Sequence, residues 1–204
     1  MKDALHNKLT GKPANRQTGK LFVISAPSGS GKTTLCGKLL KDDLDLKRSI
    51  SMTTRPPRPG EKDGTDYHFV PEKYFRDAIK QNGFLEYEEN FGYWYGTPKK
   101  FIEGRLDKGH NVLLSIDVKG ATKVRKRYPE ESVLIFIMPP SVKALERRLH
   151  SRRSEDKKAI STRLRLAKKE ISYSNKYDYT VVNDSLNTAY KKLKKVILSE
   201  LGRG

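Results

Sequence analysis

The sequence predicts an α/β fold with a mainly parallel central sheet flanked by helices. Two runs, at 112–116 and 133–138, are apolar without alternation, which is typical of strands covered on both faces. Helical patterns separate these runs from each other and from shorter strand-like segments at 21–24 and 179–182. Strands that alternate with helices favour a wound parallel sheet.

The first elements follow a polar beginning. Residues 1–19 have no hydrophobic periodicity, so we expect a basic flexible tail there. The strand at 21–24 comes next, bounded by glycines and Pro27, and a helix is predicted over 32–40 because its leucines share one face.

Later helices are predicted at 99–108, 119–128, 141–152 and 185–201, and the last of these has apolar positions at helical spacing. Residues 51–97 interrupt the alternation, because they are rich in proline, glycine, tyrosine and charged side chains. We interpret this stretch as an inserted subdomain, in which Tyr74, Phe75 and Ile79 are expected to pack as core. Inserts at strand ends are common places for substrate contacts.

Composition excludes several classes of protein. The 204 residues suit one substantial core, and no apolar run approaches the roughly 20 residues of a membrane-spanning helix. A single cysteine, Cys36, excludes an internal disulfide framework. With no secretory signal pattern at the N-terminus, we expect a cytoplasmic protein.

The net charge of +18 is concentrated in two places. Residues 1–20 have five basic and one acidic side chain, and residues 141–170 have eleven basic and four acidic ones. Such a field attracts polyanions, including nucleotides and nucleic acid, but does not specify a fold. A solvated lysine-rich surface accounts for most of this charge.

A phosphate-loop motif lies between the first predicted strand and helix. Glycines allow backbone N–H groups to surround phosphate oxygens, and the following helix directs its N-terminus at the same anion. Lys32 is suited to the β- and γ-phosphates, and the Thr33 hydroxyl to Mg²⁺. Ala26 replaces the usual first glycine. The predicted triphosphate-binding residues are Ala26, Pro27, Ser28, Gly29, Ser30, Gly31, Lys32, Thr33 and Thr34.

The insert contains a second set of phosphate-binding side chains. Arg55 and Arg58 lie three positions apart in a proline-rich segment, so both guanidinium groups can face one anion, and arginine suits bidentate phosphate recognition. Tyr67 and Tyr95 offer hydroxyl donors to the same phosphate. A solvated proline-rich loop is the alternative interpretation.

An acidic side chain in the insert could read a guanine base. Guanine presents two adjacent donors, which one carboxylate can accept and which adenine lacks. Glu86, Glu88 and Glu89 are all candidates on composition alone. Ser51 and Thr97 could bond the remaining edge of the purine.

These segments resemble guanylate kinases. Residues 51–61, 64–69, 84–86 and 93–97 look like the GMP-binding signature of that family, and the resemblance runs from about 21 to 201. It implies a P-loop kinase fold with a mixed GMP-binding insert, a helical lid and an adenine contact at Asn183, and it favours Glu86 as the base reader. The GMP-binding residues implied by the resemblance are Ser51, Arg55, Arg58, Tyr67, Glu86, Tyr95 and Thr97.

The resemblance also implies catalytic groups. Asp117 ends a predicted strand, where a carboxylate near Mg²⁺ is common in phosphate-loop enzymes, although it could instead cap the next helix. Ser115 and Lys119 depart from the family pattern. Arg152 and Arg163 occupy positions of lid arginines that contact the transferring phosphoryl group, and Lys32 and Arg55 complete the expected catalytic set.

The resulting hypothesis is ATP- and Mg²⁺-dependent phosphorylation of GMP, with dGMP as a further acceptor, by a monomer or homodimer. The predicted parts are a tail (1–19), a core (20–50, 98–140 and 172–204), a GMP-binding subdomain (51–97) and a lid (141–171). The alternatives are a related sugar-phosphate kinase, a non-catalytic interaction module and a nucleic-acid-binding protein. The charge alone suggests the last of these, and we expect no specific nucleic-acid partner.

Overall fold

The central sheet is parallel throughout. The computed structural model describes residues 18–42, 44–90, 92–150 and 157–203. Within these ranges, five parallel strands form the central sheet and four strands form a second, mixed sheet. The strands are β1 (Leu21–Ser25), β2 (Leu46–Arg48), β3 (Met52–Thr53), β4 (His68–Phe69), β5 (Phe84–Asn90), β6 (Tyr93–Pro98), β7 (Asn111–Ser115), β8 (Ser132–Met138) and β9 (Tyr179–Val182).

Helices connect these strands. They are α1 (Lys32–Leu39), α2 (Glu72–Lys80), α3 (Lys99–Leu106), α4 (Val118–Arg127), α5 (Val142–His150), α6 (Lys157–Ile171) and α7 (Leu186–Glu200), with a short 3-10 turn at Ser174–Lys176. The central strand order is β2-β7-β1-β8-β9. The predicted α/β class is confirmed, and β2 is a strand that the sequence patterns did not indicate.

The core lies on both faces of the central sheet. All five residues of β1 are buried. Phe22 and Ile24 pack with α1 and α7, whereas Leu21 and Val23 pack with α3 and α4. Because successive side chains of a strand point to opposite faces, this division requires apolar residues at every position. The unbroken apolar runs in the sequence have this cause.

The insert forms its own mixed sheet of order β4-β3-β6-β5. Phe75, on α2, is fully buried and stacks on Phe84 with ring centroids 4.4 Å apart. Tyr74 is 59 % exposed, so the expectation that it packs in the insert core was wrong. Neighbouring helical positions lie about 100° apart, so α2 buries Phe75 and leaves Tyr74 in solvent.

A helix pair stands beside the sheet. Leu145 and Leu149 of α5 pack against Ile160 and Ala167 of α6 in a separate small core. Among the described residues, no helix is both long and apolar enough to cross a membrane. Residues 1–17 of the predicted tail, and residues 151–156 of the predicted lid, lie outside the described ranges.

Candidate active site

A cavity of about 360 Å³ opens where β1 and β7 end. Since both strands are parallel, the loops after them meet at the same edge of the sheet, and the insert and α6 complete the walls. The lining residues are Ala26, Pro27, Ser28, Gly29, Ser30, Gly31, Lys32, Thr33, Thr34, Ser51, Arg58, Tyr67, Glu86, Glu88, Asn90, Tyr95, Ser115, Ile116, Asp117, Arg163, Leu166 and Glu170.

The phosphate-loop residues line one wall of this cavity. Gly29 and Gly31 adopt left-handed backbone conformations, with φ of 88° and 85°, which glycine reaches without steric cost. The loop is closed by a hydrogen bond from the Ser30 amide to the Pro27 carbonyl, 3.1 Å long. The helix α1 then begins at Lys32, so its N-terminal amides face the cavity, as anion binding requires.

Lys32 is enclosed by protein on most sides but reaches the cavity. Its ammonium donates to the Ile116 carbonyl over 3.1 Å. Burial lowers the pKa of Lys32, and nearby acidic groups, among them Asp117 and Glu170, partly offset the shift. A partly desolvated cation attracts a polyphosphate more strongly than a cation in open water.

Asn183 lies beneath the phosphate loop. Its side-chain amide donates to the Ser30 carbonyl over 2.7 Å, and a methyl group on Gly31 would collide with that amide. Asn183 is 5 % exposed and is not part of the cavity wall. The predicted adenine contact of Asn183 stays a prediction, and the contacts present show a side chain that supports the loop.

The carboxylate of Asp117 caps a helix, and the residue also lines the cavity. One carboxylate oxygen accepts from the amides of Lys119 and Gly120, at 2.9 and 2.8 Å, and so caps α4. The other accepts from the Asn90 side-chain amide at 3.0 Å. Asp117 also lines the cavity together with Thr33. Both interpretations made from the sequence, helix cap and cavity carboxylate, therefore remain compatible with its position.

Arg55 and Arg58, the two arginines of the proline-rich segment, take different positions. Arg58 lines the cavity. Arg55 is 8 % exposed and lies behind the cavity wall, where it forms a 2.9 Å ion pair with Glu61 and packs over the Tyr67 ring at 5.4 Å. The Arg55 guanidinium lies 2.9 Å from both Glu61 oxygens, and Oε2 also accepts from the Arg58 amide at 2.7 Å. Glu61 thus fixes both arginine-bearing positions of the loop.

Glu86 is the buried acid of the insert. It is 7 % exposed, lines the cavity and accepts a short hydrogen bond from the buried Thr97 hydroxyl. Burial raises the pKa of Glu86 to about 7, and the Thr97 hydrogen bond opposes that shift. Glu88 is paired with Lys119 and Lys123. A buried carboxylate is stabilised when the two hydrogen-bond donors of a ligand satisfy its oxygens.

Aromatic hydroxyls and Ser51 complete the wall on the insert side. Tyr67 and Tyr95 both line the cavity, with ring centroids 6.0 Å apart in an edge-on arrangement. Ser51 also lines it, and its carbonyl accepts from the His68 amide at 2.9 Å. The structure thus brings five of the seven predicted GMP-binding residues to the wall, with Arg55 and Thr97 directly behind it.

The helix α6, which falls in the predicted lid, contributes the remaining wall. Arg163 lines the cavity near Leu166 and Glu170. Burial raises the pKa of Glu170 to about 7, and the charge of Lys32 opposes the shift. Arg152 lies outside the described residues, so its predicted contact with the transferring group stays a prediction.

Comparisons with known proteins agree with this geometry. The family model described as "Guanylate kinase" matches residues 18–200. The chain belongs to the guanylate kinase family. A guanylate kinase of Clostridium perfringens strain 13 is 47 % identical over 182 residues, covering 89 % of this chain and 84 % of that protein. One from Caldanaerobacter subterraneus is 43 % identical over 91 % of this chain and 89 % of the relative.

A solved structure is also similar to this chain. The crystal structure of guanylate kinase from Anaplasma phagocytophilum superposes with a TM-score of 0.76 at 36 % identity, and covers 91 % of this chain and 87 % of that one. The P-loop kinase fold and the family resemblance inferred from the sequence are therefore confirmed.

Asn90 and Glu170 line this cavity, although the sequence analysis did not single out either of them. Glu88, a candidate beside Glu86, lines it as well. Glu88 and Asn90 lie on β5, two and four positions after Glu86, so the period of two along a strand could have placed them on the same face. Glu170 offered no such signal, because only the packing of α6 beside the phosphate loop brings it in.

Lys119 departs from the family pattern in a way that the structure explains in part. Its ammonium lies 3.4 Å from Glu88, and Lys123 lies 2.7 Å from the same carboxylate. These contacts join α4 of the core to β5 of the insert. Ser115, the other departure from the guanylate kinase pattern, lines the cavity.

Replacing Glu61 by glutamine is expected to weaken GMP binding about 10-fold, since charged hydrogen bonds contribute about 1.5–3 kcal/mol. The neutral amide removes the negative charge that pairs with Arg55 and presents an NH₂ group where one of the two accepting oxygens lies, so the loop that bears Arg55 and Arg58 loses its fixed shape. Steady-state KM values for GMP and ATP measure the effect. We expect a rise in the KM for GMP only. Glu72→Gln, which removes an exposed helix ion pair, is the matched control. Equal KM values for GMP in the unmodified protein and both variants would contradict the role of Glu61.

Proposed function

We propose that this protein transfers the γ-phosphoryl group of ATP to GMP and so produces GDP and ADP. One observation carries the proposal: Lys32 of the phosphate loop and Arg58 and Glu86 of the insert line one cavity. A triphosphate at the first wall and a monophosphate at the second would therefore approach each other. The family relationship supports the same reaction.

ATP is proposed to bind the loop at 26–33. Its phosphates would accept hydrogen bonds from the loop amides and from Lys32, which would exchange the Ile116 carbonyl for a phosphate oxygen. A second cavity, of about 320 Å³, lies at the start of the lid and is lined by Pro140, Ala144, Arg147, Arg148 and Asp184. Asn183, the proposed adenine contact, immediately precedes Asp184 in the sequence, so we place the adenine of ATP near this second cavity.

The residues also suit a magnesium ion. Thr33 and Asp117 both line the cavity, and Mg²⁺ prefers hydroxyl and carboxylate oxygens as ligands while it retains several waters and phosphate oxygens. When bound, the ion would neutralise charge on the β- and γ-phosphates. Asp117 is well placed for this because its cap bonds fix the carboxylate before any ligand arrives.

GMP is proposed to bind the insert. Glu86 would accept from the two adjacent guanine donors, with Thr97 and Ser51 near the remaining edge of the base. Arg58, Tyr67 and Tyr95 would donate to the phosphate. Arg55 would reach the same phosphate from behind by exchanging part of its Glu61 contact, or would act through Tyr67. The purine and the phosphate are thus recognised at separate parts of the insert wall.

The transfer step needs little acid or base chemistry. A phosphate oxygen of GMP, already ionised near neutral pH, attacks the γ-phosphorus while the bond to the β–γ bridging oxygen breaks, and ADP leaves with that oxygen. Positioning and charge neutralisation supply most of the catalysis in such reactions. Arg163 of the cavity wall and Arg152 of the lid are proposed to stabilise the charge on the transferring group.

The division into core (20–50, 98–140 and 172–204), insert (51–97) and lid (141–171) is part of the proposal. Closure of insert and lid on the core would exclude water, which would otherwise compete with GMP as the acceptor. The cytoplasmic location and the monomeric or dimeric state stay predictions.

A coupled assay of ADP release with a panel of acceptors tests the function. We expect kcat/KM for GMP and for dGMP to be at least about 100-fold higher than for AMP. A site whose buried polar groups bond guanine would leave those groups unpaired with adenine. Equal turnover of AMP and GMP would contradict the role of Glu86. Preference for a sugar phosphate would overturn the proposal in favour of a sugar-phosphate kinase. ATP binding without turnover would overturn it in favour of a non-catalytic interaction module.

A further inference from the structure

A glycine in the first turn of α4 packs against the carboxylate of Glu86. A methyl carbon placed on Gly120 would lie 2.6 Å from Glu86 Oε2 and 3.0 Å from Cδ. The first distance is shorter than a carbon atom tolerates in a folded protein, and the second is at the lower limit of what it tolerates. Gly120 is therefore the position at which α4 leaves room for the carboxylate, and any other residue there would compete with Glu86 for the same volume.

The backbone on the Gly120 side is held in place. The Gly120 amide donates to Asp117 Oδ1 at 2.8 Å, which fixes the start of the helix. One turn later, the Lys123 ammonium donates to the Tyr87 carbonyl at 2.8 Å and pairs with Glu88. The Lys123 contacts join α4 to β5 directly after Glu86, so the helix cannot move away from a larger side chain without breaking them.

The other side of the carboxylate is closed as well. Glu86 Oε1 accepts a short hydrogen bond from the Thr97 hydroxyl, and both residues are buried. Thr97 lies against one oxygen and Gly120 against the other, so the carboxylate fits in one position beside the cavity. If a larger side chain replaced Gly120, the side chain of Glu86 would have to rotate away at its own torsions.

We propose that Gly120 is a specificity-determining position, at which the lack of a side chain keeps the Glu86 carboxylate where it can accept both donors of a guanine base. The inference rests on the proposed function of Glu86. It adds a residue that contacts no substrate and acts only through Glu86, and therefore makes Gly120 a positioning residue.

The test is Gly120→Ala. Alanine is a better helix former than glycine, and the atom that must move is the end of a flexible side chain, so we expect the variant to fold with an unchanged or higher Tm. We expect the Kd for GMP, measured by titration calorimetry, to rise about 10- to 100-fold, as loss of a charged hydrogen bond implies. The Kd for ATP should be unchanged, because the phosphate loop does not contact Gly120.

Two further variants separate positioning from general damage. Gly104→Ala, in α3, is the matched control, since a methyl group there meets no atom within 4 Å, and we expect unchanged Kd values for both nucleotides. In the background of Glu86→Ala, which leaves no side-chain end for the methyl group to displace, Gly120→Ala should change the Kd for GMP by less than about 2-fold, because positions that act through one group are not additive.

The outcomes distinguish this inference from the proposed function. If the unmodified protein phosphorylates GMP and Gly120→Ala binds GMP with the original Kd, the role of Gly120 is overturned and the function stands. Equal losses of GMP affinity with and without Glu86 would also overturn it. If the unmodified protein neither binds nor phosphorylates GMP, the proposed function fails, and the role of Gly120 fails with it.

Discussion

Lys32→Met is expected to lower kcat for GMP phosphorylation by on the order of 10²–10³-fold, the usual effect of removing one group that stabilises charge in the transition state. Lys32 is the cation of the phosphate loop, and its ammonium projects into the cavity from the first residue of α1. Methionine preserves much of the aliphatic length but has no charge for the β- and γ-phosphates.

The same substitution should not weaken the fold. Burial lowers the pKa of Lys32, which means that the folded protein disfavours its charged form. Removal of the ammonium therefore leaves Tm unchanged or slightly higher, and a loss of activity cannot be attributed to unfolding. Steady-state rates and thermal melts measure the two quantities.

Lys41→Met provides the matched control. Lys41 is exposed and lies two residues beyond the end of α1, so its substitution removes one positive charge without touching the cavity. We expect rates within about 2-fold of the unmodified protein, as is usual for surface substitutions. A similar rate for Lys32→Met and Lys41→Met would show that Lys32 does not contact the transferring group.

Glu86→Gln is expected to raise KM for GMP about 10- to 100-fold, since charged hydrogen bonds contribute about 1.5–3 kcal/mol, and to leave KM for ATP nearly unchanged. The glutamine amide can accept from one guanine donor but presents its own NH₂ to the other. Rates with GMP, AMP and IMP show the loss of selectivity directly, because IMP lacks the exocyclic amine.

Glu89→Gln is the control for the acidic strand. Glu89 is exposed and does not line the cavity, so its substitution changes the same charge by the same amount at a distance from the base. We expect unchanged KM values. If Glu89→Gln weakened GMP binding as much as Glu86→Gln, the effect would be one of net charge rather than of base recognition.

Glu86 also predicts a pH dependence of stability. Burial raises its pKa from 4.5 to about 7 in the folded protein, so the native state retains the proton over a range in which the unfolded chain has lost it. The contribution of this group is greatest below pH 4.5 and is lost as the pH rises towards 7. Glu86→Gln avoids that loss, and we expect it to be more stable by on the order of 2 kcal/mol at pH 8.

Urea unfolding at several pH values measures this difference. The gain in the free energy of unfolding of Glu86→Gln over the unmodified protein should shrink between pH 7 and pH 4.5 and be close to zero below that. A gain that is equal at pH 8 and pH 4 would mean that packing, not ionisation, is responsible.

Much of the fold was predictable from local patterns. The apolar runs became β1, β7 and β8 because both faces of a covered parallel sheet require them. The phosphate loop was predictable because glycines, a lysine and a helix start occupy consecutive positions. The insert was visible as a change of composition, and of its two arginines in the proline-rich segment only Arg58 lines the cavity.

The choice among similar residues was not predictable in this way. Glu86, Glu88 and Glu89 are close in sequence, and only the packing of β5 against α4 buries the first, pairs the second with lysines and exposes the third. The position of Asn183 beneath the loop depends on a hydrogen bond to Ser30, 153 positions away. No local pattern contains that information.

By itself the sequence determined the fold class, the phosphate loop and the family, because these depend on periodicity and on motifs of adjacent residues. Tertiary structure alone decided that Arg55 lies behind the wall with Glu61, that Glu170 joins the cavity from α6, and that Gly120 leaves space for Glu86. The physical reason is that burial, charge pairing and close packing depend on elements distant in the chain, which meet only in the folded protein.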